Sequence, residues 1–426
     1  MVRLEEHKHS TEHKPIERLP APARVYLPLS QHLGKSCIPS VKPGDNVLLG
    51  QEIASVQANV FSPLHASVSG KVASIQEWPH PVLGRAKVVV IENDGKDNRP
   101  SSFLPRPSGE IVRLSPDEIR KIVLEAGIVG MGGAGFPTHI KLNPPKSVDT
   151  LIINGAECEP YLTGDYRLMI EKNKEILLGV EIIARCLGAK NVFIAIEDNK
   201  PQAIKLFQDA VRGTWYSVRI LQSSYPQGGE KQLIKSILNE EVPSGKLPFE
   251  LGVVVHNVAT VYAVYEAVYL KKNFYERVVT VTGSCLANPQ NLLVRLGTPI
   301  KDLLAFCAPL KEEPVKMIIG GPMMGLAQFS QDVPVIKTTT GVILFTQKEA
   351  RTQEEEFCIR CGACVRECPS GLMPCLINLA AQKELWEEAK KYGALDCIEC
   401  GVCSYVCPAS RRLVQSIKRA KLELTR

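Results

Sequence analysis

From Arg24 to Asn93 short apolar runs are broken by turns at Val41-Lys42-Pro43-Gly44-Asp45, Leu49-Gly50 and Val68-Ser69-Gly70-Lys71. Strands interrupted at such short intervals predict a small β domain, set at 23–98. From Ile111 to about Tyr269 the period changes. Ser115-Pro116-Asp117-Glu118 has the marks of a helix start, with Ser as N-cap and Pro in the first position. Thr150 to Asn154 is a short apolar strand, and Ile170 to Leu187 is a long amphipathic helix stopped by Gly188. Asn191 to Ile196 is a further strand, followed by a helix over Gln202–Arg212. Strand–helix alternation predicts an α/β domain with a mostly parallel sheet over 111–275. Residues 276–346 revert to β character with a short helix near Gly297–Leu304, and Gln347 to Glu356 reads as a polar linker. In the last segment, 353–426, Leu376–Tyr392 and Arg411–Lys421 carry helical patterns. Residues 1–22, charged and rich in His, read as a flexible tail.

The chain has 426 residues, 45% hydrophobic and 23% charged, which excludes collagen-like, coiled-coil and wholly disordered readings. A net charge of +6 is too small for a dedicated nucleic-acid binder, so no nucleic-acid partner is expected. The apolar-leaning stretch Leu251–Leu270 contains His256, Asn257, Thr260 and Glu266, which is too polar to span a bilayer. With no secretory signal in view, the expected location is cytosolic, where cysteines at regular spacing suggest metal ligands rather than disulfides.

Nine of the 14 cysteines fall after Phe357. Cys358, Cys361, Cys364 and Cys368-Pro369 form one run; Cys397, Cys400, Cys403 and Cys407-Pro408 form the other. Each reads C-x2-C-x2-C-x3-C-P, the spacing of two-cluster ferredoxins, in which the fourth cysteine ligates the other cluster. The expected sets are therefore Cys358, Cys361, Cys364 and Cys407 for one [4Fe–4S] cluster, and Cys397, Cys400, Cys403 and Cys368 for the second. A pair of zinc sites is the competing reading, and zinc favours separated pairs of ligands over triplets. Cys375 lies outside the pattern and is expected to be a buried thiol.

Gly127 to Thr138 is densely glycine-rich, which lets backbone N–H groups approach an anionic ligand. It is not a G-x-x-x-x-G-K-[ST] loop, which disfavours ATP or GTP hydrolysis. Lys141 follows it. "NGAECEPYL" at 154–162 ends a strand, "YPQGGEKQLI" at 225–234 precedes a helix, and His256-Asn257 ends the Val253–Val255 strand.

The glycine loop and the first two of these motifs resemble the FMN- and NADH-binding component of respiratory complex I. Residues 41–75 resemble the barrel-sandwich hybrid of biotinyl and lipoyl domains, without the Met-Lys-Met carrier signature around Lys71. Residues 276–346 resemble a β-grasp, soluble-ligand-binding module. Together with the two-cluster segment, the chain resembles the RnfC family, the C-type components of Rnf electron transport complexes. The resemblance implies a multidomain α/β fold: a β barrel-sandwich hybrid, a Rossmann-like FMN/NAD(H) domain, a β-grasp module and a helical ferredoxin-like segment. It implies non-covalent FMN held by Gly130, Gly132, Gly133, Gly135, Lys141, Asn154, Glu157, Gly228, Glu230, His256 and Asn257, with Phe136 and Glu159 as NAD(H) contacts. It departs from the complex I pattern at Ala156, Gly229 and Leu142-Asn143. Implied partners are the integral membrane components of the complex, its ferredoxin-like RnfB component and, indirectly, ferredoxin. The implied place is peripheral, on the cytoplasmic face of the cell membrane. The implied activity is the electron-exchange part of an ion-translocating ferredoxin:NAD+ oxidoreductase. Alternatives are a microcompartment cobalamin reductase, which shares the flavin and cluster modules, a soluble NADH diaphorase-type component, and a scaffold or quinone-binding relative that has lost FMN, a class that lacks the paired cysteine runs and has a degraded glycine loop.

Overall fold

A computed structural model describes residues 1–101, 103–350 and 353–425. Arg351 and Thr352 of the expected linker, and Arg426 of the expected last domain, lie outside the described residues.

The N-terminal part carries β1 (Ile16–Arg18), β2 (Arg24–Pro28), β3 (Ile38–Pro39), β4 (Asn46–Val47), β5 (Glu52–Ser55), β6 (Leu64–His65), β7 (Gly70–His80) and β8 (Gly84–Asn93). Strands β2-β8-β7-β4 form one small sheet and β3-β5-β6 a second, and together they make the barrel-sandwich. Long β7 and β8 pair antiparallel from Gly70↔Asn93 to His80↔Gly84.

The α/β domain holds β9 (Thr150–Gly155), β10 (Asn191–Glu197), β11 (Tyr216–Leu221) and β12 (Val253–Asn257) in the order β11-β10-β9-β12, all parallel. The chain steps outward from β9 to β11 and then returns to the far side of β9. The order therefore reverses between β9 and β12, which is where ligands bind in open α/β sheets. The helix Pro116–Glu125 opens with a complete capping box: Glu118 N donates to Ser115 Oγ, and Ser115 N to Glu118 Oε2. The expected helix over Ile170–Leu187 is broken at Lys172, which ends the helix Gly164–Glu171 and precedes the helix Asn173–Leu187. That second helix stops, as expected, at left-handed Gly188.

The remaining strands are β13 (Glu276–Thr282), β14 (Gln290–Arg295), β15 (Lys316–Ile319), β16 (Leu326–Gln328) and β17 (Gly341–Phe345), with the helix Ile300–Phe306. They form a mixed sheet in the order β1-β14-β13-β17-β15-β16. Its apolar face does not stand alone. Val25, Leu27, Ile53 and Val89 of the barrel-sandwich share one buried cluster with Val279, Val281, Leu292 and Val342. Tyr26 N donates to Gly297 O at 2.8 Å, and Ser67 Oγ to Leu296 O at 2.5 Å.

Residues 1–22 are not a free tail. Val2 exchanges hydrogen bonds with Tyr225, and β1 pairs parallel with β14. Lys8 Nζ donates to the Glu157 and Leu162 carbonyls at 2.6 and 2.7 Å, and Thr11 is buried. The charge that reads as solvated in the sequence is used to satisfy buried backbone acceptors, which are costly to leave unpaired.

In the last segment the expected single helix over Leu376–Tyr392 is two helices, Pro374–Gln382 and Trp386–Lys391. Glu384, between them, sits at φ 57. Both pack against the helix Leu413–Leu424 through Ile377, Ala380, Ala389, Ile417 and Ala420.

Candidate functional site: a glycine loop beside two cysteine runs

The glycine loop closes on itself at its base. Gly130 N donates to Phe136 O at 2.9 Å and Thr138 N to Ile128 O at 3.0 Å. Met131 N donates to Thr260 Oγ1, which ties the loop to the helix Val258–Leu270. Gly132, Gly133 and Ala134 are left exposed at the tip. A Cβ on Gly132 would come within 3.1 Å of the Asn257 side chain, whereas one on Gly133 would meet nothing within 4 Å. Gly135 has φ +73, and a Cβ there would lie 2.8 Å from Thr338 Cγ2, so glycine is required by the fold itself.

The loop stands over the point where the strand order reverses. Asn154 and Asn257 are register partners at the ends of β9 and β12. Asn154 Nδ2 donates to Gly228 O at 2.9 Å. Asn257 Oδ1 caps the following helix by accepting from Ala259 N and Thr260 N, while its Nδ2 donates to Asp165 Oδ2 at 2.5 Å. Lys141 Nζ donates to Glu230 Oε1 at 2.5 Å. His256 is buried and its Nε2 has no protein partner. Burial, reinforced by the Lys141 charge, pushes its pKa well below the ordinary value, so the ring is neutral. An exposed glycine tip, a cation and an orphaned buried ring nitrogen fit a phosphorylated, hydrogen-bonding ring system such as FMN.

Two of the expected contacts, Glu157 and Glu159, also hold backbone amides. The Glu157 carboxylate accepts from Asp165 N (2.9 Å) and Tyr166 N (3.2 Å), the first turn of the helix Gly164–Glu171. A carboxylate there is favoured by the orphan N–H groups and the helix dipole. The Glu159 carboxylate accepts from Met323 N (3.1 Å) and Met324 N (2.9 Å) in the turn before β16. Burial pushes its pKa up to about 7 in spite of those amides. It lies against Gly321, where a Cβ would be 2.1 Å from Glu159 Oε2. Phe136 remains at the loop and is half-buried. Asp165 was not legible in the sequence. It meets Asn257, and burial together with neighbouring Glu157 raises its pKa.

The two cysteine runs have the same backbone shape. Arg360 and Gly362 in the first run, and Glu399 and Gly401 in the second, all have positive φ. Each run then enters a four-residue helix, Ala363–Arg366 or Val402–Tyr405. In the second run this turn brings Cys397, Cys400 and Cys403 to one cavity. Cys368, Cys397, Cys400 and Cys403 line one cavity, walled by Leu372, Pro374, Ile398, Val414 and Ile417. Glu399 N donates to Cys397 Sγ and Leu372 N to Cys368 Sγ, both at 3.4 Å. Cys364 and Cys407 pack together with Cys403 and Cys375 around Leu413, while Cys358 and Cys361 are exposed. Burial pushes the Cys400 thiol up to about 11 and Cys403 to about 12. Four such sulfurs around one apolar cavity become thiolates when a cationic cluster is there to neutralise them. Among the described residues no three His, Cys, Asp or Glu side chains converge on a single-ion site. Cys368, Cys397, Cys400 and Cys403 thus supply the four-thiol donor set of an iron–sulfur cube around one cavity, whereas Cys358 and Cys361 are not gathered with Cys364 and Cys407.

Comparison with known proteins gives the same parts in the same order. Residues 2–96 match the RnfC barrel sandwich hybrid domain, 123–266 the Nuo51 FMN-binding domain, 278–327 the SLBB domain and 351–408 the 4Fe-4S dicluster domain. Over 99% of its length, and 93% of the relative's, the chain is 47% identical to the C component of the proton-translocating ferredoxin:NAD(+) oxidoreductase complex of Clostridium ljungdahlii. This chain belongs to the RnfC family of ion-translocating oxidoreductase complexes. It is also 44% identical to the corresponding component of the Na(+)-translocating complex of Acetobacterium woodii, over 98% of this chain and 94% of that one. With the RnfC relative from the ion-translocating oxidoreductase complex of Rhodobacter capsulatus it shares 45% identity, over 100% and 82%. Among solved structures, a chain of an NAD+-reducing [NiFe]-hydrogenase in the H2-reduced state matches with a TM-score of 0.53. The identity is 18%, over 75% of this chain and 65% of that one, a likeness of fold. As an RnfC protein with an FMN-binding domain and a dicluster domain, the chain has FMN and iron–sulfur clusters as its cofactors. Among the described residues no helix of this RnfC protein is long and apolar enough to cross a membrane, which fits a peripheral place in the complex.

Proposed function

We propose that this RnfC protein exchanges electrons between NAD(H) and the remainder of a membrane-bound ferredoxin:NAD+ oxidoreductase that moves ions. FMN, when bound, converts the two-electron chemistry of a nicotinamide into the one-electron chemistry of iron–sulfur clusters. The residues supply position and charge. Gly130, Gly132, Gly133 and Gly135 give backbone approach to the flavin. Lys141, oriented by Glu230, supplies a cation, and neutral His256 offers one ring nitrogen. Asn154 ties the 225–230 turn to the end of β9 through Gly228, and Asn257 caps the helix Val258–Leu270. Phe136 is the residue proposed to face NAD(H). Cys358, Cys361, Cys364 and Cys407 hold one [4Fe–4S] cluster; Cys397, Cys400, Cys403 and Cys368 hold the second. Its partners are the integral membrane components that carry the ions, the ferredoxin-like RnfB component and, through them, ferredoxin. Its place is the cytoplasmic face of the cell membrane.

The observation that carries the reading is the cavity walled by Cys368, Cys397, Cys400 and Cys403 in the same chain as an open glycine loop over the sheet's reversal point. The test is anaerobic reconstitution followed by iron and flavin quantitation, and EPR with NADH as reductant. Eight irons, one FMN and NADH-dependent cluster signals are expected. Eight irons with no flavin, and clusters that stay oxidised in NADH, would overturn it.

A further inference from the structure

The domain that carries the glycine loop reaches the second cysteine run through a buried tyrosine. Tyr225 opens the 225–230 turn and is 1% exposed. Its backbone is clamped by Val2, with Val2 N donating to Tyr225 O at 3.0 Å and Tyr225 N to Val2 O at 2.8 Å. Its hydroxyl donates to the Cys400 carbonyl at 2.7 Å. Three residues further on, Gly228 accepts from Asn154 and donates to Cys158 Sγ at 3.3 Å. Tyr225, Cys158, Cys400, Val402 and Met323 form one apolar cluster between the two segments. A third side is closed by the turn before β16. A Cβ at Gly401 would meet Met323 O at 2.5 Å, and Glu159, held by the Met323 and Met324 amides, lies within hydrogen-bonding reach of the Tyr225 hydroxyl. The first run has the opposite setting. Cys358 and Cys361 are exposed, and Phe357 and Ile359 beside them are 89% and 67% exposed.

Resting on the function proposed above, we infer that the cluster held by Cys368, Cys397, Cys400 and Cys403 is the one seated against the flavin loops. Tyr225 is a positioning residue that keeps it there. The other cluster faces outward. A tyrosine hydroxyl carries one proton, and here it is given to the carbonyl of a ligand residue. The O–H dipole, its positive end turned toward the backbone of a ligand residue, favours added negative charge on the cluster and thus its reduced state. Removing it lowers the midpoint potential of that cluster and leaves the other unchanged.

The test is an EPR-monitored redox titration of the anaerobically reconstituted full chain carrying Tyr225→Phe, alongside the unsubstituted protein. Cys397→Ser and Cys361→Ser variants assign the two cluster signals. The expected result is unchanged iron and flavin content, with a negative shift confined to the signal that Cys397→Ser alters. A shift confined to the Cys361→Ser-sensitive signal, a shift of both signals, or no shift overturns the inference. If Tyr225→Phe fails to retain its clusters, the order is read from the two cysteine variants. With Cys361→Ser the remaining cluster should still be reduced by NADH at the parent rate, and with Cys397→Ser it should not; the reverse pattern overturns the inference. Absence of flavin from the unsubstituted protein would sink the proposed function instead, so the two failures are separable.

Discussion

Gly133→Ala separates space the protein needs from space a ligand needs. Gly133 is exposed at the loop tip, its φ is not positive, and an added methyl would meet no protein atom within 4 Å. The chain alone should therefore tolerate alanine, or gain about 0.4–1 kcal/mol from a stiffer unfolded state. Gly127 and Gly135 differ. Both have positive φ, and a Cβ would lie 2.5 Å from Pro63 O or 2.8 Å from Thr338 Cγ2. If the tip lies against bound FMN, the methyl at 133 intrudes on the ligand. Overpacking of about 1–3 kcal/mol then weakens flavin binding roughly 5- to 150-fold. The assay is fluorescence titration of flavin-free protein with FMN, together with thermal unfolding of the same sample. The expected outcome is an unchanged or slightly raised Tm with weaker FMN binding. Parent-like FMN affinity in a folded Gly133→Ala protein would remove the loop tip from the site.

Other consequences can be checked independently. The Glu276 carboxylate is buried among Arg18 (2.8 Å), Lys272 (2.8 Å) and Arg295 (3.5 Å). Burial alone would raise its pKa, but the three cations outweigh it and hold it at about 2, against an ordinary 4.5. Glu276→Gln should cost about 3 kcal/mol at pH 7. Because the folded pKa is depressed, this contribution is full above pH ~4.5 and fades as the pH falls toward 2. Urea unfolding of parent and variant should thus converge in acid, and a constant gap would refute the ion-pair origin. Lys8→Met leaves the Glu157 and Leu162 carbonyls without a donor and should cost about 1–3 kcal/mol per acceptor, read as a lower Tm. Lys337 Nζ donates to Ser62 Oγ, Pro63 O and Gly127 O, so Lys337→Met should lower Tm and loosen FMN binding together. A lowered Tm with parent-like FMN binding would show that these bonds do not support the base of the glycine loop.

The cysteine runs were legible because thiolate spacing around a cube is fixed by short-range chain geometry, and the left-handed Gly362 and Gly401 follow from it. The α/β domain was legible because its strands are continuous apolar runs, and because Gly188 stops the helix before β10. What escaped was long-range. Nothing in Met1–Lys14 announces that Lys8 finds two carbonyls about 150 residues away. A motif also does not say which carboxylate the backbone will claim. Glu157 and Glu159 sit in the expected loop, and amides at 165–166 and 323–324 also bind them. Tyr225 reads as the first letter of a turn, and its contact with Cys400 spans 175 residues of sequence.

The core shared by the barrel-sandwich and the sheet built on β13 and β14 has a consequence for synthesis. About 180 residues separate the end of β8 from the start of β13. At ~5–20 residues per second, a ribosome needs on the order of 10–35 s to cross that gap. For that time Val25, Leu27 and Ile53 have emerged without Val279, Val281, Leu292 and Val342, which complete their cluster. The nascent chain therefore carries an incompletely covered, aggregation-prone apolar face during the interval when the α/β domain is being made.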